Sequence, residues 1–108
     1  MGATMGTLKL AVVTGANRGL GLETCRQLAA KGLKVILTSR NAEAGGKQVN
    51  ELTGEGLDVL FHPLDVTDPE SIRRLADYIQ NELGALDILV NNAGIFPDPF
   101  PGRGGSNS

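Results

Sequence analysis

Residues 8–21 read LKLAVVTGANRGLG, and this stretch decides the fold. Its first half is a short run of Leu, Ala and Val that ends at Thr14. Such a run, bounded by glycine, reads as a strand buried on both faces. Its second half places glycine at 15, 19 and 21 and opens into LETCRQLAAK. There Leu22, Cys25, Leu28 and Ala29 share one side of a helix that Gly32 stops. A strand that turns tightly into a helix aims the helix's free N–H groups at the turn. Those groups, with the helix dipole, attract an anion.

The alternation continues outward from this unit. Residues 33–39, centred on Val35, Ile36 and Leu37, read as a second strand. Asn41 caps a second helix that runs towards Leu52 and ends near Gly54. Gly45 and Gly46 are expected to weaken it, each by up to about 1 kcal/mol relative to Ala. Residues 57–62 form a third strand. The next helix has two possible caps: Asp68 with Pro69 at the first helical position, or Thr67 with Glu70 as a capping box. Ile72, Leu75, Ala76, Ile79 and Leu83 then repeat at helical spacing, and Gly84 ends the run. Residues 86–91 make a fourth strand. Alternating strands and helices call for a parallel sheet with right-handed crossovers. The expected class is therefore α/β: four strands in the order 3-2-1-4 with three helices, half of a doubly wound sheet.

Composition narrows the function. One domain suits 108 residues, with 41% hydrophobic and 20% charged residues. A net charge of −2 and the absence of Trp argue against nucleic acid as a partner. No apolar run approaches the roughly 18 residues that span a bilayer, and the N-terminus lacks a signal-peptide core. A lone cysteine, Cys25, suits a reducing compartment, so a cytoplasmic protein is expected. Cys25 reads as a small apolar packing residue, and His62 has no metal-ligating neighbours in sequence. Residues 1–96 are expected to form the folded domain, and 97–108, rich in Pro, Gly and Ser, a loop or tail.

The glycines fit a dinucleotide. Gly15 permits the turn, Gly19 lets phosphate oxygens reach the backbone, and Gly21 lets the helix pack closely on the sheet. The spacing is G-x-x-x-G-x-G, and a ligand-free glycine turn shares that pattern. A nucleoside-triphosphate loop is excluded, because no Gly-Lys-Ser/Thr follows. About 20 residues past such glycines, a carboxylate would bind the ribose hydroxyl of NAD. This chain has Ser39-Arg40-Asn41 there. A guanidinium grips a phosphate bidentately, a serine hydroxyl adds a hydrogen bond, and Arg18 adds a second positive charge. NADP(H) is therefore expected over NAD(H); the alternative is that Arg40 is a solvated surface charge.

These residues also carry a family signature. TGANRGLG at 14–21 resembles the T-G-x-x-x-G-x-G loop of the short-chain dehydrogenases/reductases. LDV at 64–66 resembles that family's adenine-contacting Asp after strand 3, and NNAG at 91–94 is similar to its N-N-A-G motif after strand 4. LTSRN at 37–41 and FHPLDVTD at 61–68 resemble the NADPH-preferring, carbonyl-reductase-like members. The resemblance covers residues 8 to about 96 and implies a Rossmann-like cofactor fold. It implies that Asp65 binds the adenine amino group with Val66 beside it through backbone. It further implies that Asn91, Ala93 and Gly94 line the cofactor and that Asn92 stabilises the sheet. Asn17, Arg18 and Leu20, between the glycines, complete the candidate cofactor-binding set of Gly15, Gly19, Gly21, Ser39, Arg40, Asp65, Val66, Asn91, Ala93 and Gly94.

The same resemblance implies hydride transfer by a Ser, a Tyr and a Lys in a Y-x-x-x-K motif, all beyond N-N-A-G. The one tyrosine, Tyr78, is followed at position 82 by glutamate. A phenol with pKa about 10 needs a nearby cation to work near neutrality, and a carboxylate opposes that. No catalytic residue is assigned. The expectation is the cofactor-binding part of an NADP(H)-dependent carbonyl or alcohol oxidoreductase, inactive alone. The alternative is a non-catalytic NADP(H)-binding or interaction module. Strand 4 is expected to be an open edge with Ile88 or Val90 exposed, leaving the chain either marginally stable alone or self-associated through that edge.

Overall fold

The computed structural model describes residues 9–15 and 19–92. Strand β1 (Leu10–Val13) leads through the glycine turn into α1 (Gly19–Ala30). Then come β2 (Lys34–Ser39), α2 (Ala42–Gly54), β3 (Val59–Pro63) and α3 (Pro69–Tyr78). α3 continues as a π-helical turn over Ile79–Leu83, and β4 (Ile88–Val90) closes the series. The strands form one parallel sheet in the order β3-β2-β1-β4, as the alternation requires.

Alternation along β1 sorts the core into two layers. Leu10 and Val12 pack with Ile36, Leu64, Ile72, Leu75 and Ile79, so α3 covers one face. Ala11 and Val13 pack with Cys25, Ala29, Val35, Leu37, Leu52 and Val59, so α1 and α2 cover the other. Burial of apolar area on both faces of the central strands is the main stabilising term, at about 25 cal/mol per Å². Ile88 and Val90, expected to be exposed, are half-buried against the α1–α2 layer.

β4 is shorter than the six residues expected, and Asp87 marks the break between the Leu86 bridge and the strand. The backbone N–H of Asp87 donates to Leu10 O, 3.0 Å, while its own carboxylate accepts the Leu10 N–H, 2.9 Å. A side chain thus replaces the main chain where the ladder would begin. At the start of α3 the chain uses one cap of the two available: Asp68 accepts the Glu70 N–H at 3.0 Å, with Pro69 in the first turn. Asn41 caps α2 by accepting the Ala44 N–H at 3.0 Å.

Gly45 corrects the reading of α2 as simply weakened by its glycines. A Cβ at Gly45 would overlap the Phe61 ring of β3, whereas one at Gly46 would meet nothing within 4 Å. Gly45 is the price of close packing between α2 and β3; Gly46 has no such contact.

Candidate cofactor site

All four strands run parallel, so their C-terminal ends share one edge of the sheet, where ligands of such folds bind. The site is built there from the ends of β1, β2, β3 and β4.

At the end of β1, Gly15 and Gly19 have φ of 58° and 65°, values that favour glycine. The first turn of α1, Gly19–Leu22, contains no acidic residue. Gly21 is buried against the sheet, while Leu20 stands 78% exposed at the helix mouth. Among the described residues, nothing lies within 4 Å of where a Cβ on Gly19 would stand. A helix mouth with no carboxylate and bare backbone can receive an anion.

The ends of β1 and β4 are stitched together. Thr14 N–H donates to Val90 O at 3.0 Å, and the Thr14 hydroxyl donates to Asn91 Oδ1 at 3.1 Å. The same hydroxyl accepts the Asn92 N–H at 2.9 Å, and Asn92 Nδ2 donates to Gly15 O at 3.2 Å. Thr14 is fully buried, so the glycine turn and the Asn91–Asn92 turn are held as one rim. The role of Thr14 was missed in the sequence; its only signal was its place before Gly15.

At the end of β2, the buried Thr38 hydroxyl donates to Val13 O at 2.8 Å, fixing β2 against β1. The Ser39 hydroxyl accepts the Asn41 N–H at 2.9 Å and donates to Asn41 O at 3.2 Å. It is 3% exposed, so it shapes the turn that carries Arg40. Arg40 itself is exposed.

At the end of β3, Leu64 N–H donates to Ser39 O at 3.0 Å, which brings Asp65 beside the Arg40 turn. The Thr67 hydroxyl and N–H both donate to Asp65 Oδ1, at 2.6 and 3.0 Å. These bonds, and to a smaller extent the Arg40 charge, hold the Asp65 carboxyl below the usual carboxylate range. Val66, next to it, is half-buried against the α3 layer. Asn17, Arg18, Ala93 and Gly94 lie outside the described residues.

Other chemistry-bearing side chains have structural surroundings. Tyr78 packs on the α3 layer with its ring 5.1 Å from that of His62. Cys25 is fully buried, and burial pushes its thiol up to about 12, which leaves it a neutral packing group. Among the described residues no group of three His, Cys, Asp or Glu could hold a metal ion. No described helix is long and apolar enough to cross a membrane.

A dinucleotide fits these residues: an acid-free, glycine-lined helix mouth for its pyrophosphate, an exposed cation at the end of β2 and an ionised carboxylate at the end of β3. Comparison with known proteins identifies the family. The family model for short chain dehydrogenases matches residues 9–104. The chain is 54% identical over 93 residues to (+)-neomenthol dehydrogenase of Arabidopsis thaliana, covering 82% of this chain and 31% of that protein. It is 46% identical over 97 residues to mouse (Mus musculus) carbonyl reductase 3, whose name specifies NADPH, covering 86% and 35%. The structure of menthone neomenthol reductase from Mentha piperita superposes with a TM-score of 0.78 at 49% identity, covering 82% of this chain and 32% of that one. The chain thus spans about a third of the length of the relatives it matches. From the strand order, the glycine turn and these matches together, the chain belongs to the short-chain dehydrogenase family.

Proposed function

We propose that this chain holds NADP(H) and supplies the cofactor-binding part of an oxidoreductase that passes hydride between nicotinamide and a carbonyl or alcohol. Residues 1–96 are the binding domain in this reading. The observation that carries it is the acid-free, glycine-lined start of α1 on the same sheet edge as Arg40 and Asp65. Gly15, Gly19, Gly21 and the α1 amides, with Asn17 and Leu20, would receive the pyrophosphate. Arg40, with Arg18, would bind the 2′-phosphate, and Ser39 would hold the Arg40 turn in place. Asp65 and Val66 would bind the adenine, while Asn91, Ala93 and Gly94 would line the ribose side. When bound, the cofactor supplies the hydride; the chain's own residues bind and orient it. The NADPH in the name of the mouse relative supports this choice over NAD(H).

Calorimetric titration with NADP and NAD tests the reading. NADP should bind about tenfold more tightly than NAD, and Arg40→Ala should remove that margin while leaving NAD unchanged. Equal loss for both would defeat the cofactor assignment. Self-association through β4 belongs to the same proposal. Its strand partner among the described residues is β1, and a second copy would satisfy its outer backbone groups. Sedimentation showing only monomer at high concentration would refute that part.

A further inference from the structure

We propose that Ser71 and Thr67 are positioning residues that aim Asp65 at the cofactor's base and make the site select a base with an amino group at position 6. The inference rests on the dinucleotide reading above and concerns two residues outside the candidate site set.

Asp65 lies where the β-ladder has ended. Leu64 still donates to β2, at Ser39 O, but the Asp65 N–H has no strand partner. The Ser71 hydroxyl, from the first turn of α3, accepts it at 2.9 Å, and Ser71 is buried at 8% exposure. Asp65 O accepts the Asp68 N–H at 3.0 Å. Thr67 occupies Oδ1 twice, through its N–H at 3.0 Å and its hydroxyl at 2.6 Å. Three of the four polar atoms of Asp65 are thus committed. Oδ2 takes part in no hydrogen bond with the described residues.

An ionised carboxylate oxygen only accepts hydrogen bonds. A single free acceptor, fixed by groups at both ends of the residue, calls for a donor on its ligand. The 6-amino group of adenine is such a donor. A 6-oxo base places an acceptor at the same position and leaves two acceptors facing one another. Loss of a hydrogen bond to a charged group in such a setting corresponds to about tenfold in affinity. If Ser71 and Thr67 served only to begin α3, their removal would weaken every ligand alike.

The test uses the full chain, as wild type, Ser71→Ala and Thr67→Val. Each is titrated calorimetrically with NADP and with nicotinamide hypoxanthine dinucleotide phosphate, which carries oxygen in place of the amino group. Wild type should prefer NADP about tenfold. Both variants should lose much of that preference, with affinity for the hypoxanthine dinucleotide unchanged. Thr67 is exposed, so its variant carries the test alone should Ser71→Ala unfold. Equal weakening for both ligands, or an undiminished preference in Thr67→Val, overturns the proposal. Wild type that binds NADP without discriminating overturns it and leaves the cofactor reading standing. Wild type that binds neither ligand overturns both.

Discussion

α1 and α3 begin in opposite ways. α3 completes itself: Asp68 accepts a first-turn N–H, Pro69 removes one donor, and Glu70 places a negative charge against the dipole. α2 does much the same with Asn41 and Glu43. α1 has no acid in its first turn and starts on glycine. Among the described residues, two helices thus have their first turns capped by their own side chains, while α1 begins with glycine and no acid. The difference teaches where to look: a helix start without acidic residues, at the C-terminal edge of a parallel sheet, is where the proposed anion would bind.

The comparison breaks first if α1 is made to resemble α3. Leu20→Asp should weaken NADP about a hundredfold in calorimetry, by placing a carboxylate against the pyrophosphate. The same change should leave the fold intact or slightly more stable in urea, because Leu20 is exposed. Unchanged affinity would show that the mouth is not the site.

α2 offers a second contrast, within a single helix. Gly45→Ala should cost about 2 kcal/mol in urea denaturation, because Phe61 fills the space, despite alanine's better helix propensity. Asp68→Ala should come next, at about 1 kcal/mol of stability, as α3 loses the cap on its first turn. Gly46→Ala should gain about 0.5 kcal/mol, since its Cβ enters open space. Equal effects at 45 and 46 would contradict the close α2–β3 packing.

Cys25 sharpens the comparison along the flank of α1 and has no effect at neutral pH. Its thiol is raised in the fold from 9.0 to about 12, so the unfolded chain releases the proton first. Stability from this group is complete below pH 9 and is lost as pH rises towards about 12. Denaturation across that window should show a slope that Cys25→Ala removes.

Much of the fold was legible because its signals are local. The glycine turn after β1, the cap before Pro69 and the apolar spacing of α3 each lie within a few residues, and each matched its element. What stayed hidden depends on residues distant in sequence. Gly45 is required by Phe61, which arrives with the next strand. Asp87 at the start of β4 answers a backbone N–H at Leu10 with its side chain. Thr67 was legible as one of two caps; it instead holds Asp65, a local turn that competes with the cap and that the sequence pattern does not rank. In the site, charge and glycine pattern pointed to Arg40 and the α1 mouth. The hydroxyls of Thr14 and Ser39 beside them, and of Ser71 beside Asp65, give no periodic signal, because a buried hydroxyl is specified by its partner alone.

The Thr14 stitch has a consequence for how the molecule comes together. It joins atoms from residues 77 positions apart, a closure whose entropic cost exceeds that of the neighbouring strand pairs. Contacts of that span form late. A cofactor bound as proposed, against this rim, would therefore be gripped only by chains whose β4 has already docked on β1. Its supply in the surroundings would act as a quality inspector, drawing the population towards finished copies by mass action.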